Sequence, residues 1–154
     1  MTRATRKPRL EVEVIVLDAG WQKVLPGVER LVRRAARAAA ARGRSLNVAL
    51  SDDKGVRILN KRDRRKDKPT NVLSYPSGEG AFLGDIVLAR QTVWREARAQ
   101  KKTAADHVTH LVVHGVLHLL GHDHETGDED AERMEALERR ILAKLGIADP
   151  YVVR

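Results

Sequence analysis

The sequence predicts one domain that combines four short β-strands with about five helices. Four short stretches have the alternation or apolar content of strands, and most of the segments between and after them have the helical apolar period. No repeat or long polar linker divides the 154 residues. A chain of this length can bury a core of its own. We therefore expect residues 1–154 to form a single domain, with residues 1–9 flexible.

The first half of the chain alternates strands with helices. Residues 10–17 predict a strand, and turn-like residues follow it. Residues 28–41 predict a helix rich in Ala and Arg, and we expect its arginines to form a solvated face. Residues 45–50 predict a second strand. The segment 51–53 can cap a short helix that continues to residue 60.

A dense run of basic residues follows this short helix. Six of the eight residues 61–68 are Lys or Arg, and Pro69 and Thr70 close the run. Such a run is either a mobile solvated loop or a surface that grips phosphates through bidentate arginine contacts. Charge alone does not separate these interpretations.

The second half of the chain predicts a strand pair and three helices. Residues 70–75 and 84–88 predict strands, and the Gly- and Ser-rich loop between them permits an antiparallel return. Residues 91–101 predict a polar helix, and Thr103 with Asp106 resembles the start of a central helix. Residues 128–145 predict a last helix, in which four residues form an apolar core stripe: Met134, Leu137, Ile141 and Leu145.

The central helix carries a pair of histidines at metal-binding spacing. His114 and His118 lie about one turn apart, roughly 6 Å along the axis, and share one helix face. Gly121 is expected to end the helix and reverse the chain, which can bring His124 back as a third ligand. Three histidines with an open fourth position are typical of a catalytic zinc site, whereas structural zinc sites are usually rich in cysteine, which this chain lacks.

Other histidines leave alternatives open. All six histidines of the chain lie between residues 107 and 124, which packing alone hardly explains. His107 is too far along the axis to share an ion with His114, and we expect it to support the site or face the substrate. His110 could pair with His114, although the returning chain lies nearer His118. His122 is the main rival of His124 as third ligand.

The histidine spacing also matches that of the metzincin proteases. In those enzymes a glutamate, the general base, follows the first histidine. Here Gly115 occupies that position. A site without this glutamate keeps its metal and activated water but lacks the group that deprotonates the water, which disfavours peptide hydrolysis.

Composition favours a polyanionic partner and argues against a membrane protein. The formal net charge is +8 and the isoelectric point is near 10.2, which favours nucleic acid as a partner. No stretch approaches the length of a membrane helix, and the basic N-terminus lacks an apolar segment for secretion. The absence of cysteine fits a cytoplasmic protein.

Three motifs resemble one known family. Residues 114–124, HGVLHLLGHDH, resemble the H-G-x-L-H-L-x-G-[YH]-D-H signature of the YbeY family of metal-dependent endoribonucleases. The segment LNKRDRRKDKPTNVLSYP resembles its L-N-x-x-[YF]-R-x-x-D-x-P-T-D-V-L-S-F-P block, and LGDIVL resembles its G-D-I strand. The resemblance covers roughly residues 45–154. Two positions depart from it, since Asp63 replaces an aromatic residue and Asn71 replaces an aspartate.

The resemblance implies a fold, an activity and a set of site residues. The fold would be α+β, with a small mixed four-stranded sheet packed by about five helices, one of them a zincin-like metal helix. The activity would be that of a zinc-dependent endoribonuclease specific for single-stranded RNA. One Zn²⁺ would be held by His114, His118 and His124. Arg64 falls at the family's functionally important arginine and would handle phosphate, so that Arg64 and His114 are the expected catalytic residues.

The same resemblance implies a cellular role. The expected substrate is ribosomal RNA, with maturation of the 3′ end of 16S rRNA and ribosome quality control as the processes served. The ribosome or ribosomal subunit proteins would be partners, and the location would be cytoplasmic. The sequence does not predict an oligomeric state.

Two other functions and two mechanistic choices stay open from the residues alone. The chain could be a metalloprotease-like hydrolase, or a non-enzymatic ribosome-associated RNA-binding factor with a structural metal. No sequence feature identifies the general base, for which Asp85, Asp123 and Glu125 are candidates. The nucleophile could be water or the RNA's own 2′-hydroxyl.

Overall fold

Four strands form one mixed sheet. The computed structural model describes residues 6–78, 80–123 and 125–152. Its strands are β1 (Glu11–Val16), β2 (Ser45–Ser51), β3 (Val72–Pro76) and β4 (Phe82–Ala89). The strand order is β1-β2-β4-β3; β1 and β4 run parallel to β2, whereas β3 pairs antiparallel with β4. The expected antiparallel return between the last two strands is confirmed.

Six helices pack around this sheet within the described ranges. They are α1 (Gly20–Val24), α2 (Val28–Ala39), α3 (Asp53–Arg64), α4 (Arg90–Ala99), α5 (Ala104–Leu119) and α6 (Asp128–Lys144). The side chain of Thr103 caps α5 by accepting a hydrogen bond from the Asp106 amide, as the sequence predicts. The α+β architecture is confirmed. No helix within these ranges is both long enough and apolar enough to cross a membrane.

The helix α1 replaces a segment that the sequence marks only as a turn. Asp18 accepts a hydrogen bond from the Gly20 amide at its start. Trp21 is fully buried, and its indole nitrogen donates to the Ser51 carbonyl at 2.7 Å. A five-residue helix has little stability of its own, so this tertiary anchor decides its conformation.

The helix α3 is longer than the sequence predicts. The basic run was expected to begin after the helix, yet residues 61–64 form its last turn. Arg65 then ends the helix in the left-handed conformation, with φ of 57°. Basic side chains in a last turn interact favourably with the negative end of the helix dipole, which explains the extension.

The helix α5 is the centre of the packing. It contacts α2, α4 and α6 as well as β3 and β4, and ten of its residues are buried. At Gly115 the backbone comes so close to the sheet that a Cβ atom there would lie 3.0 to 3.2 Å from three side-chain carbons of Ile86. The glycine therefore lets α5 sit directly on β4.

Candidate active site

The end of α5 reverses the chain as predicted. Gly121 adopts the left-handed conformation, with φ of 97°. Its amide donates to the His118 carbonyl, and the His122 amide donates to the Leu117 carbonyl, both at 3.0 Å. These two bonds form a Schellman motif, which ends the helix.

His114 and His118 form a close pair on the exposed side of α5. Their ring centres are 4.7 Å apart and the rings are inclined by 72°. The His110 and His114 rings lie farther apart, at 6.3 Å. The geometry therefore brings His118, rather than His110, to His114 as the residue that could share an ion.

A buried carboxylate lies behind this pair. The side chain of Glu138, on α6, is fully buried and accepts hydrogen bonds from Nδ1 of His114 and from the hydroxyl of Tyr151. Nε2 of His110 lies 3.3 Å from Oε2, the oxygen that also accepts from Tyr151, whereas His114 is bound to Oε1. Burial opposes the charge on Glu138, but these hydrogen bonds outweigh burial and lower its pKa to about 2. Glu138 thus remains a carboxylate, and it fixes the orientation of the His114 ring.

Sequence reasoning missed Glu138 and Tyr151. The apolar stripe assigned to the last helix passes beside Glu138 without including it. The structure buries Met134, Glu138 and Leu142, which are spaced four apart and lie on one face. A single acidic residue within a buried helix face is the signal that could have been used, because such a charge needs a partner.

The third predicted ligand, His124, lies outside the described residues. Its neighbours Asp123 and Glu125 both line the cleft that contains His114 and His118. Across the parts of the chain that the structure describes, no three His, Asp or Glu side chains are placed to hold one ion. His122, the rival third ligand, does not join the pair there.

The cleft in front of the histidines is lined by basic residues from the end of α3 and the segment after it. Arg64, Lys66 and Lys68 all border it. The predicted catalytic arginine and the two helix histidines therefore share one cleft. The sequence left open whether residues 61–68 form a solvated loop or a phosphate-binding surface. In the structure, three basic residues of this segment line the cleft.

The wall of the cleft also carries a carboxylate that the sequence did not suggest. Glu96, on α4, accepts from the Asn71 amide nitrogen at 2.9 and 3.3 Å and lies 2.9 Å from Nε2 of the buried His107. Burial opposes its charge, but these two partners lower its pKa. The family motif has an aspartate at the position of Asn71. Here the asparagine donates a hydrogen bond to Glu96, whereas an aspartate would repel that carboxylate.

Two further carboxylates form hydrogen bonds: Asp63, which also departs from the family motif, and Asp85, one of the candidates for the general base. Asp63 accepts from the Tyr75 hydroxyl at 2.8 Å and pairs with Arg62. Asp85 accepts from the Asn47 amide at 3.0 Å and does not border the cleft. Of the three base candidates, the cleft contains Asp123 and Glu125.

The position of the protease base faces the sheet. Because the backbone of Gly115 packs against Ile86, a glutamate there could not reach the cleft without displacing the core. Peptide hydrolysis is therefore disfavoured for two reasons: the glutamate is absent, and its position faces the sheet.

Comparison with known proteins places this geometry in a family. The model of the family described as Endoribonuclease YbeY matches residues 12–146. The chain belongs to this family. Endoribonuclease YbeY of Azorhizobium caulinodans is 50% identical over 157 aligned positions, gaps included, and the match covers 94% of this chain and 98% of that protein. The Chelativorans protein of the same name is 49% identical, with 94% of each chain covered.

A solved structure agrees with the fold. The solution structure of TM1509 from Thermotoga maritima matches with a TM-score of 0.58 and 24% identity, covering 92% of this chain and 99% of that chain. Family membership and the α+β fold, both predicted from the motifs, are confirmed. The chain is accordingly a member of a family of endoribonucleases.

Proposed function

We propose that this protein is a zinc-dependent endoribonuclease that cleaves single-stranded RNA, with one Zn²⁺ held by His114, His118 and His124. The observation that carries the proposal is the close pair of helix histidines with a buried carboxylate behind one of them. Family membership supports the reaction class, and the flanking residues of His124 in the same cleft support the third ligand.

The donor set suits a zinc ion. With Zn–N bonds of about 2.0–2.1 Å and a near-tetrahedral angle, two imidazole ring centres lie roughly 5 Å apart. The His114 and His118 ring centres are 4.7 Å apart. Because Nδ1–H of His114 donates a hydrogen bond to Glu138, Nε2 is left as the ligand nitrogen. When bound, the ion would lower the pKa of a water molecule and polarise a phosphoryl oxygen.

Arg64 is the residue we assign to the phosphate. Its side chain is exposed and borders the cleft that holds the histidines. A guanidinium group offers paired donors to phosphate oxygens and keeps its charge at all working pH values. It would stabilise the charge that develops on the phosphate in the transition state. Lys66 and Lys68 would hold neighbouring phosphates.

Proton transfer falls to acidic residues of the cleft. Asp123 accepts from the Glu125 amide at 2.8 Å, a bond that also holds the turn after α5. Asp123 and Glu125 border the cleft, whereas Asp85 does not. We therefore assign proton transfer to one of these two cleft residues.

We extend the proposal to the cellular substrate. Ribosomal RNA, including the 3′ end of 16S rRNA, would be the target, and the enzyme would serve ribosome quality control in the cytoplasm with ribosomal subunit proteins as partners. The resemblance supports this role, and the net charge of +8 fits a polyanionic substrate.

The test separates metal binding from catalysis. His114→Ala should lose zinc and cleavage together. Arg64→Ala should keep its zinc and lose about 10²–10³ in kcat on single-stranded RNA, the usual effect of removing a charge-stabilising donor. Zinc content and cleavage are measured on the same preparations. Full zinc occupancy in His114→Ala would contradict the ligand assignment, and wild-type cleavage by Arg64→Ala would contradict the phosphate assignment.

The third ligand is tested in the same way. His124→Ala should lose zinc, whereas His122→Ala, a neighbouring substitution of the same kind, should retain it. The reverse pattern would assign the ligand to His122.

A further inference from the structure

Five arginines line a second surface cleft at the edge of the sheet opposite to β3. One comes from the segment before β1 and four from α2, and we call the site the arginine cleft: Arg9, Arg30, Arg33, Arg34 and Arg37. The sequence predicts only a solvated face for the arginines of this helix. The structure gathers them around one concave surface instead.

Two of these arginines are held in place by the main chain. Nε of Arg33 donates to the Val12 carbonyl at 3.3 Å, and Nε of Arg37 donates to the Leu10 carbonyl at 3.1 Å. Both carbonyls belong to or directly precede β1, an edge strand of the sheet. Guanidinium groups anchored through Nε lose less conformational entropy when their terminal nitrogens bind an anion.

The positive charge of the arginine cleft is not neutralised within the described residues. None of the five arginines forms an ion pair there, and Arg9, Arg30 and Arg34 form no side-chain hydrogen bond. The acidic residues of β1, Glu11 and Glu13, are exposed and alternate with the buried Val12, so they face away from α2.

Burial and the neighbouring arginines both oppose the charge on Arg37. Burial lowers the pKa of Arg37, and the charges of Arg9 and Arg33 lower it further. A bound phosphate would relieve this repulsion. The arrangement therefore favours an anion in the cleft over an empty one.

Protection of the edge strand explains only part of this arrangement. Arg33 and Arg37 cover the open carbonyls of β1, and cations at an edge discourage pairing with other chains. That role does not require Arg9, Arg30 or Arg34, whose side chains donate no hydrogen bond to a carbonyl within the described residues. Their position beside the anchored pair indicates a ligand with several negative charges.

We propose that the arginine cleft is a second RNA-binding surface, which holds backbone phosphates of the substrate strand outside the cleavage site. This inference rests on the proposed function, because the RNA held here is the RNA cut at the histidines. β1 and β3 are separated by three strand spacings, roughly 15 Å. At about 3.4 Å per stacked nucleotide, about four to five nucleotides of RNA span this distance.

The test compares two double variants that remove the same charge. Arg30→Gln with Arg34→Gln empties part of the arginine cleft but touches neither anchored arginine. Arg133→Gln with Arg140→Gln removes two exposed arginines from α6 and serves as the matched control. Affinity for a labelled single-stranded RNA of about 20 nucleotides is measured by fluorescence anisotropy on the full chain, with a chelator present to prevent cleavage.

The expected result is a selective loss of electrostatic binding. For two lost phosphate contacts, the slope of log affinity against log salt should fall by about 1.4, and affinity at about 0.1 M salt should fall about 25-fold. The control double variant should bind as the wild type does. Thermal unfolding should be unchanged in the cleft variant, because Arg30 and Arg34 are exposed and form no side-chain hydrogen bond or ion pair within the described residues. It should change little in the control, because the ion pairs of Arg133 with Glu129 and Asp130 are exposed and such pairs contribute less than about 1 kcal/mol.

Two outcomes would overturn the proposal. The first is wild-type RNA affinity in the cleft variant; if this variant also loses binding to phosphatidylserine vesicles, the arginine cleft is a membrane surface instead. The second is an equal loss of RNA affinity in both variants, which would indicate a general effect of net charge. Cleavage by the wild type is measured separately, so its absence would refute the proposed function while the affinity comparison still decides the role of the arginine cleft.

Discussion

The substitution Glu138→Gln tests how the fold supports the metal site. Glu138 is fully buried and accepts from His114 and Tyr151, with His110 at 3.3 Å. Glutamine keeps the size of the side chain but has one accepting oxygen and no charge. Hydrogen bonds to a charged group contribute about 1.5–3 kcal/mol each, so losing two of them should cost about 3 kcal/mol or more. In a chain of this size that lowers Tm by at least about 6 °C.

The same substitution should weaken zinc binding. The Glu138 carboxylate holds the His114 ring with Nδ1 protonated, and removing such a partner typically reduces metal affinity about 10- to 100-fold. Competition with a chromogenic chelator measures this affinity directly, without reference to cleavage.

Tyr151→Phe provides the matched control. It removes one donor to the same carboxylate but leaves the contact between Glu138 and His114. We expect a lower Tm with zinc affinity near that of the wild type. Unchanged zinc affinity in Glu138→Gln would refute the positioning role, and an equal loss of affinity in both variants would show that general destabilisation is the cause.

Three further substitutions test the site and the packing that supports it. Asn71→Asp places a second carboxylate against Glu96 and should lower the free energy of unfolding by about 2 kcal/mol at neutral pH. The two carboxylates should then share a proton with a raised pKa, so the loss of stability should shrink as pH falls. A Tm difference that does not change with pH would contradict this. Gly115→Ala should lower the free energy of unfolding by about 1 kcal/mol and Tm by a few degrees, because the new methyl group meets the buried Ile86 side chain. A higher Tm would show that the greater helix propensity of alanine prevails. Arg64→Lys keeps the charge but loses the planar pair of donors, and kcat on single-stranded RNA should fall at least tenfold with zinc retained; full activity would argue that Arg64 acts only as a point charge.

The motifs predicted much of the fold because their local signals are strong. Thr103 and Gly121 mark the two ends of α5 by capping chemistry, and the structure places the helix between them. The four strands were found from alternation and apolar content. In contrast, the helix of Trp21 depends on a distant carbonyl at Ser51, which no local pattern reveals.

The candidate site was predictable only where its residues are close in sequence. His114 and His118 share one helix face, so their spacing alone brought them together. Glu138 reaches His114 from another helix, 24 positions away, and Glu96 reaches Asn71 from 25 positions away. Such contacts depend on how the helices pack, and a single sequence does not encode them as a pattern.

The charge pattern was harder still to interpret. The arginines of α2 recur at the spacing of an exposed helix face, and solvation was the natural expectation. Their anchoring depends on β1 being the edge strand, which follows from the strand order and not from the helix sequence.

The central claim, that a zinc ion on the histidine pair makes this chain a ribonuclease, is tested by restoring the metal. Protein purified free of host nucleases is stripped with a chelator and titrated with zinc, and cleavage of single-stranded RNA is followed at each addition. We predict that wild-type activity returns in proportion to zinc until one equivalent is bound, whereas His118→Ala recovers none. Equal cleavage by both proteins, or activity in the stripped wild type, would contradict the account.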